Sequence, residues 1–245
     1  MTSRRDQLDE FLSHLDKSLS RIQTLCSSIH DGQCRSFKKA LLFTFIDNLS
    51  SLAYPGPRSS AKRVKKLLSN YGRWTDGDRI STPHLCRWIE LNPEGLSPRG
   101  NETVRSRLQQ WEPGYLVPIS SDPDLASIER LSHPENAEAV KTLSRLTHFS
   151  LLWNQRHSLL HRFTPTGVNL EFPDDDNPYY ISLASINDTS SESQEGPFWQ
   201  LIYPTGFLFA LARACIEGVS TKLQQEPIDI RAHYKAGFYL LEDLN

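Results

Sequence analysis

Thr147-His-Phe-Ser-Leu-Leu-Trp-Asn-Gln-Arg156-His157-Ser-Leu-Leu-His161-Arg-Phe-Thr-Pro165 is the stretch on which the reading of this chain turns. An apolar helical run carries Arg156, His157 and His161 into its last turns, and Pro165 with Gly167 closes the helix just beyond. A helix turns about 100° per residue, so His157 and His161 share a face, while Arg156 and His161 diverge by about 140°. One straight helix does not aim both at a single atom. The long arginine can reach round, the last turn can loosen, or a second copy of the helix can supply the missing group across a twofold axis.

Arginine, a polar residue, three further residues and histidine form a pattern that resembles the signature of the HEPN family of helical nucleotidyl-binding and ribonuclease domains. The resemblance implies a homodimer in which the Arg and His of both subunits line a shared, metal-independent RNA-cleaving groove. Carried over, Arg156 and His161 are catalytic and His157 is the polar residue that orients the arginine or touches RNA. A second match, Arg79 to His84, contains Pro83 and follows Asp76-Gly77-Asp78, so it reads as a turn rather than the end of a long helix. The stretch Ala40-Leu-Leu-Phe-Thr-Phe-Ile-Asp47-Asn-Leu-Ser-Ser-Leu-Ala-Tyr54 is similar to an early core helix of bacterial HEPN-like proteins, which packs against the motif helix. The resemblance spans the helices near 35–54, 135–163 and 204–224. Its biological setting implies a toxin-like or antiphage endoribonuclease held by an antitoxin or other regulatory partner, without a cofactor. The alternative is a non-catalytic HEPN-like module that binds RNA or a nucleotide, or only dimerises. A bland reading also stands: an exposed arginine and a histidine that complements the negative end of a helix dipole.

Length and composition suit one large domain, 1–245, since 38% apolar residues suffice for a core. The four cysteines at 26, 34, 86 and 215 show no Cys-x-x-Cys spacing, so they read as buried or inert thiols rather than a zinc knuckle or disulfide framework. The N-terminus carries no apolar signal core and no run reaches the length of a membrane span, which gives a cytoplasmic expectation. Two sequons, Asn101-Glu-Thr and Asn187-Asp-Thr, then carry no role. A net charge of -2 excludes a globally basic nucleic-acid binder but leaves room for a local patch.

In chain order, Leu8, Phe11, Leu12, Leu15, Leu19, Ile22, Leu25 and Ile29 predict an amphipathic helix over residues 4–30. The next helix, about 35–54, is apolar on most sides and therefore central. Asp47 inside it must bond a neighbouring arginine or hydroxyl, or face the Arg156 groove and orient a side chain there. After Tyr54-Pro-Gly-Pro57, Arg58, Lys62, Arg63, Lys65, Lys66 and Arg73 form a basic stripe with no acid among them. They could neutralise RNA phosphates, with Tyr71 and Trp74 stacking on bases, and could equally be the solvent face of a helix whose core side is Val64, Leu67, Leu68 and Tyr71.

Residues 76–123 read as an excursion with short helices near 83–91 and 102–111, Trp88 and Trp111 filling its own small core. One long helix is expected over 134–163. A β-insert follows at about 168–203, with a hairpin of Val168–Phe172 and Tyr179–Ala184 around an acidic loop and a third short strand at Phe198–Tyr203. Asp174, Asp175 and Asp176 in that loop read as solvated rather than as a metal site. Residues 185–196 are Ser-, Glu- and Asn-rich and read as a loop, Pro204 opens a last bundle helix to about Gln224, and Ile228–Leu244 has mixed signals. The fold class is mainly α (α+β): a bundle of about four long helices with a small β-hairpin or sheet after the motif helix.

Overall fold

The computed structural model describes residues 4–24, 32–56, 59–131, 137–162, 171–172, 176–183 and 198–225. These are mainly helical, with one small antiparallel sheet. The helices are α1 (Arg4–Thr24), α2 (Gly32–Ala53), α3 (Ser60–Tyr71), α4 (Thr82–Leu91), α5 (Pro98–Gln109), α6 (Leu125–Glu129), α7 (Ala137–Leu143), α8 (His148–Arg162) and α9 (Thr205–Gln225). Strands β1 (Val117–Pro118), β2 (Tyr179–Leu183) and β3 (Phe198–Ile202) lie in the order β1-β2-β3. Among the described residues, α1, α2, α8 and α9 are the long helices, each of 15 residues or more. The chain divides into two compact units: Met1–His30, Phe37–Arg73 and Phe209–Asn245 form the first, Asp31–Ser36 and Trp74–Leu208 the second.

In the first unit α1 buries Leu8, Phe11, Leu15 and Leu19, the three- and four-residue steps of one face. The part of α2 in this unit buries Leu42, Phe43, Phe45, Ile46, Leu49 and Leu52, so its apolar character on several sides does reflect a central position. Phe37 and Leu41 of the same helix stay exposed. In α3 the buried residues are Val64, Leu67 and Leu68, which leaves its lysines on the opposite side. From Phe209 onward α9 buries Leu211, Ala212, Cys215, Ile216, Val219 and Leu223. Helix α9 meets the end of α3 through a glycine: a Cβ built on Gly218 would stand 2.4 Å from Tyr71 Cδ1 and 2.5 Å from Tyr71 Cβ. Gly218→Ala, which in an exposed helix would gain about 1 kcal/mol from propensity, should here destabilise by about 1–3 kcal/mol through overpacking. Urea unfolding of the variant reads the sign directly.

In the second unit Ile80, Leu85, Cys86, Ile89, Leu96, Val104, Ile128 and Leu143 form one buried cluster, with Trp88 packed against it. The excursion thus has its own core, to which α7 contributes Leu143. Trp111 belongs elsewhere, packing on Tyr180 and Trp199 of the sheet at 4.9 and 5.2 Å between ring centroids. Helix α5 begins earlier than its apolar pattern suggests, because the Ser97 hydroxyl caps it by accepting from Gly100 N and Pro98 sits in the first turn. Cys86 and Cys215 are buried thiols, and loss of solvation pushes them up to about 11 and about 12. Cys26 lies outside the described residues.

Two expectations need correction. The long helix over 134–163 is broken: α7 ends at Leu143, Ser144–Leu146 form a single 3-10 turn, and Thr147 is extended before α8 begins. Hydroxyls compete for the backbone there, since Thr147 Oγ1 and Ser150 Oγ both donate to Ser144 O, at 3.0 and 2.8 Å. The hairpin partner also differs. Of the expected strand, Glu171 and Phe172 are not strand and residues 168–170 lie outside the described residues; β2 pairs with β3, Tyr179 opposite Ile202 and Leu183 opposite Phe198, and with β1 on its other edge. The Glu171 carboxylate caps α9 by accepting from Thr205 N. Residues 163–170, 184–197 and 226–245, with the strand, loop and terminal segments expected within them, lie outside the described residues.

Candidate functional site

Helix α8 buries Phe149, Leu152 and Leu159 on one face, and toward its C-terminal end Arg156 is half-buried while His157 and His161 are exposed. The guanidinium of Arg156 lies over the Trp153 ring at 4.7 Å and its Nη1 stands 3.4 Å from Nε2 of His161. The length of the arginine therefore closes the 140° gap within one chain. Because a guanidinium only donates, the contact leaves Nε2 of His161 as acceptor and places that ring's proton on Nδ1 when the imidazole is neutral. The His157 ring lies 4.6 Å from that of His161, as four-residue spacing requires. A cation and two imidazoles thus meet on an accessible surface. That is a donor set for a phosphoryl oxygen beside an imidazole nitrogen able to accept a proton.

The other end of α8 is held by buried polar contacts that sequence reading does not find. His148, its first residue, is fully buried, and Nε2 of the imidazole donates to Asp122 Oδ2 at 2.8 Å while Nδ1 stands 2.9 Å from the Tyr203 hydroxyl. Asp122 is filled on both oxygens: Oδ2 also accepts from the Tyr180 hydroxyl at 2.6 Å, and Oδ1 accepts from Thr82 N at 3.0 Å and Thr82 Oγ1 at 2.6 Å. Two main-chain donors of α8 are satisfied by the preceding loop, His148 N by Arg79 O at 3.0 Å and Phe149 N by Gly77 O at 2.8 Å. Ser81 Oγ links Tyr180 to Nδ1 of His84 at 2.8 and 2.7 Å. Arg79 and His84 are consequently parts of this support, on an extended segment and in the first turn of α4, and not a second motif helix. Lost solvation, then the nearby His148, hold the His84 pKa below its ordinary value against an opposing pull from Asp122.

Burial first, and then the charge of Asp122, raise Tyr180 and Tyr203 well above the ordinary phenol value. An unfolded tyrosine releases its proton near about pH 10, so this contribution is complete below that pH and is lost as pH rises beyond it. Absorbance titration at 295 nm should leave at least these two of the 8 tyrosines protonated until the chain unfolds.

The basic stripe lies in the first unit and divides in three. Lys62, Lys65 and Lys66 are exposed on the outer side of α3. Arg63 turns back, with Nη2 3.4 Å from Ser60 Oγ, and lines a groove of about 750 Å³ with Phe11, His14, Phe45, Asn48 and Leu52. Arg73, in the left-handed region at φ 52°, pairs with Glu217 at 2.9 Å. Arg58 lies outside the described residues. A residue that the stripe did not include, Lys222 of α9, approaches the Tyr54 ring at 5.7 Å, beside Lys66 at 4.4 Å, and Tyr54 accepts from Asn70 Nδ2 at 2.7 Å. Tyr71 stacks on Tyr54 at 6.5 Å, whereas Trp74 belongs to the second unit, edge-on to Phe149 and Phe207.

Asp47 is half-buried in the first unit, with one carboxylate oxygen 3.5 Å from the Ser50 hydroxyl. Arg156 stands in the second unit. In the acidic loop Asp176 is exposed, and Asp174 and Asp175 lie outside the described residues. Among the described residues no group of three or more His, Cys, Asp or Glu side chains is placed to hold a metal ion, and no helix is long and apolar enough to cross a membrane. No family model matches the chain, and neither a curated protein nor a solved structure matches it.

Proposed function

We propose that the chain is a metal-independent endoribonuclease of HEPN-like fold, acting in the cytoplasm as a homodimer with a shared groove, in a toxin-like or antiphage role under a restraining partner. The observation that supports the chemistry is the 3.4 Å approach of Arg156 Nη1 to His161 Nε2 on an exposed helix surface. RNA carries its own nucleophile, so the protein need only move protons and stabilise charge on phosphorus. Arg156 moves from His161 Nε2 to a non-bridging oxygen of the bound RNA, and the freed Nε2 lone pair takes the proton of a 2′-hydroxyl as the 2′-oxygen attacks the adjacent phosphorus and charge grows on the oxygens Arg156 contacts. The bond from phosphorus to the 5′-oxygen breaks, and that oxygen takes a proton from a second imidazole. His157, 4.6 Å from His161 between ring centroids, or a histidine from a second copy of the chain, supplies it. Lys62, Lys65, Lys66 and Lys222 hold RNA phosphates along the first unit.

The test is incubation of total RNA with purified protein in EDTA, followed by end-mapping. Fragments with a 2′,3′-cyclic phosphate or 3′-phosphate and a 5′-hydroxyl are expected. Salt-sensitive RNA binding without cleavage would replace this reading with the binding module, and absence of both would reduce the motif to coincidence.

A further inference from the structure

Hydrophobic burial holds α8 against its unit but sets its rotation weakly, because the attraction of Phe149, Leu152 and Leu159 for the core is non-directional. Directional contacts gather at the other end of the helix. Tyr203 donates from its hydroxyl to His148 O at 3.2 Å as well as facing the imidazole, so side chain and main chain of one residue are gripped together. Asp122 grips the far edge of the same ring, and is itself fixed by Thr82 at the start of α4 and by Tyr180 of β2. Trp74 closes the pocket at 6.4 Å from the His148 ring and 5.0 Å from Phe149. A Cβ at Gly77 would fall 2.3 Å from Phe149 Cζ, so the glycine is what lets this loop approach α8 so closely.

We propose that His148, Asp122 and Tyr203 are positioning residues for the Arg156–His161 pair, fixing the rotation and axial placement of α8 from its buried end. Rotation of a helix by 20° carries atoms on a rim of about 5–6 Å radius through about 2 Å. Misplacement on that scale is enough to impair a proton transfer. The proposal rests on the ribonuclease reading for its consequence in catalysis, but the placement itself is observable without activity.

The experiment uses the full chain with carbon-13-labelled histidine and reads the ring resonances of His157 and His161, whose surroundings change when the helix turns against its unit. Tyr203→Phe keeps the ring and removes the hydroxyl; His148→Gln can still donate to Asp122; His148→Leu can do neither. Leu143→Ala, in the apolar cluster and away from these hydrogen bonds, controls for simple loss of stability. Tyr203→Phe and His148→Leu should shift the His157 and His161 signals and lower kcat about tenfold with KM within about twofold. His148→Gln should recover part of both, and Leu143→Ala should move neither. If folded Tyr203→Phe and His148→Gln give ring signals indistinguishable from the wild type, the proposal is overturned, whatever happens to His148→Leu. Should the wild type cut no RNA, the ribonuclease reading falls alone, and the ring signals still decide the placement.

Discussion

Asp122→Ala should cost about 3–5 kcal/mol, the range for removing one partner of a buried charged contact. The alanine removes the acceptor of the amide and hydroxyl of Thr82 and of His148 Nε2, while the Tyr180 hydroxyl keeps only Ser81 Oγ at 2.8 Å. Thr82, Tyr180 and His148 are all fully buried, so water cannot take the place of the lost oxygens without opening the unit. Each unsatisfied donor carries a penalty of about 1–3 kcal/mol, and they share one site, so the sum is not additive. For a chain of this size the loss corresponds to a fall in Tm of about 6–20 °C, taking about 2–4 °C per kcal/mol. Asp122→Asn is the informative companion. Its carbonyl can still accept from Thr82 while its amide faces two groups that need an acceptor, so an intermediate loss is expected. A thermal or urea midpoint for Asp122→Ala within 1 kcal/mol of the wild type would show that the contacts are dispensable, contrary to their geometry.

Much of the helical frame was legible because single-face periodicity survives in sequence. Leu8, Phe11, Leu15 and Leu19 name the core side of α1, and Val64, Leu67 and Leu68 that of α3. The same signal hid the break before α8. Leu143, Leu146 and Phe149 keep three-residue steps straight through the 3-10 turn, and apolar spacing alone does not report a change of axis. The available clue was polar, the run Ser144, Thr147 and Ser150, whose hydroxyls answer one carbonyl and its neighbours. Strand pairing failed for a different reason. Alternation marks a segment as strand-like without naming its partner, and among the described residues β2 pairs with β1 and β3, strands 62 and 19 positions away in sequence, while residues 171–172 are not strand. The polar anchor was least legible, since Asp122 reaches residues 26, 40 and 58 positions away and nothing beside it in the chain announces them. Arg156, His157 and His161 could be picked out as a motif, but their spacing left three geometries open, of which the reach of the arginine is the one seen within the chain.

Arg156→Ala and His161→Ala should each lower EDTA-resistant RNA cleavage by about 100-fold or more, while leaving the unfolding midpoint nearly unchanged. The two parts of that expectation rest on different observations. His161 is exposed, so its truncation should stay within about 0.5 kcal/mol, and Arg156, half-buried over Trp153, should cost no more than about 1 kcal/mol. The loss in rate follows from chemistry that changes between ground and transition state: a proton leaves the 2′-oxygen, and charge grows on the oxygens that Arg156 would contact. Arg156→Lys separates charge from shape. A lysine keeps the cation but loses the planar fork and most of the stacking on Trp153, so it should recover only a small part of the rate if Arg156 holds the phosphoryl group in two places. Full activity in the lysine variant would mean that charge alone suffices. His157→Ala then distinguishes the source of the second proton. A loss as large as that of His161→Ala would place acid and base in one chain, and a small effect would leave the acid to a second copy. Mixing Arg156→Ala with His161→Ala protein tests a separate point: activity would return if Arg156 of one copy serves His161 of another, and would stay lost if the two act within one chain, as their 3.4 Å approach implies.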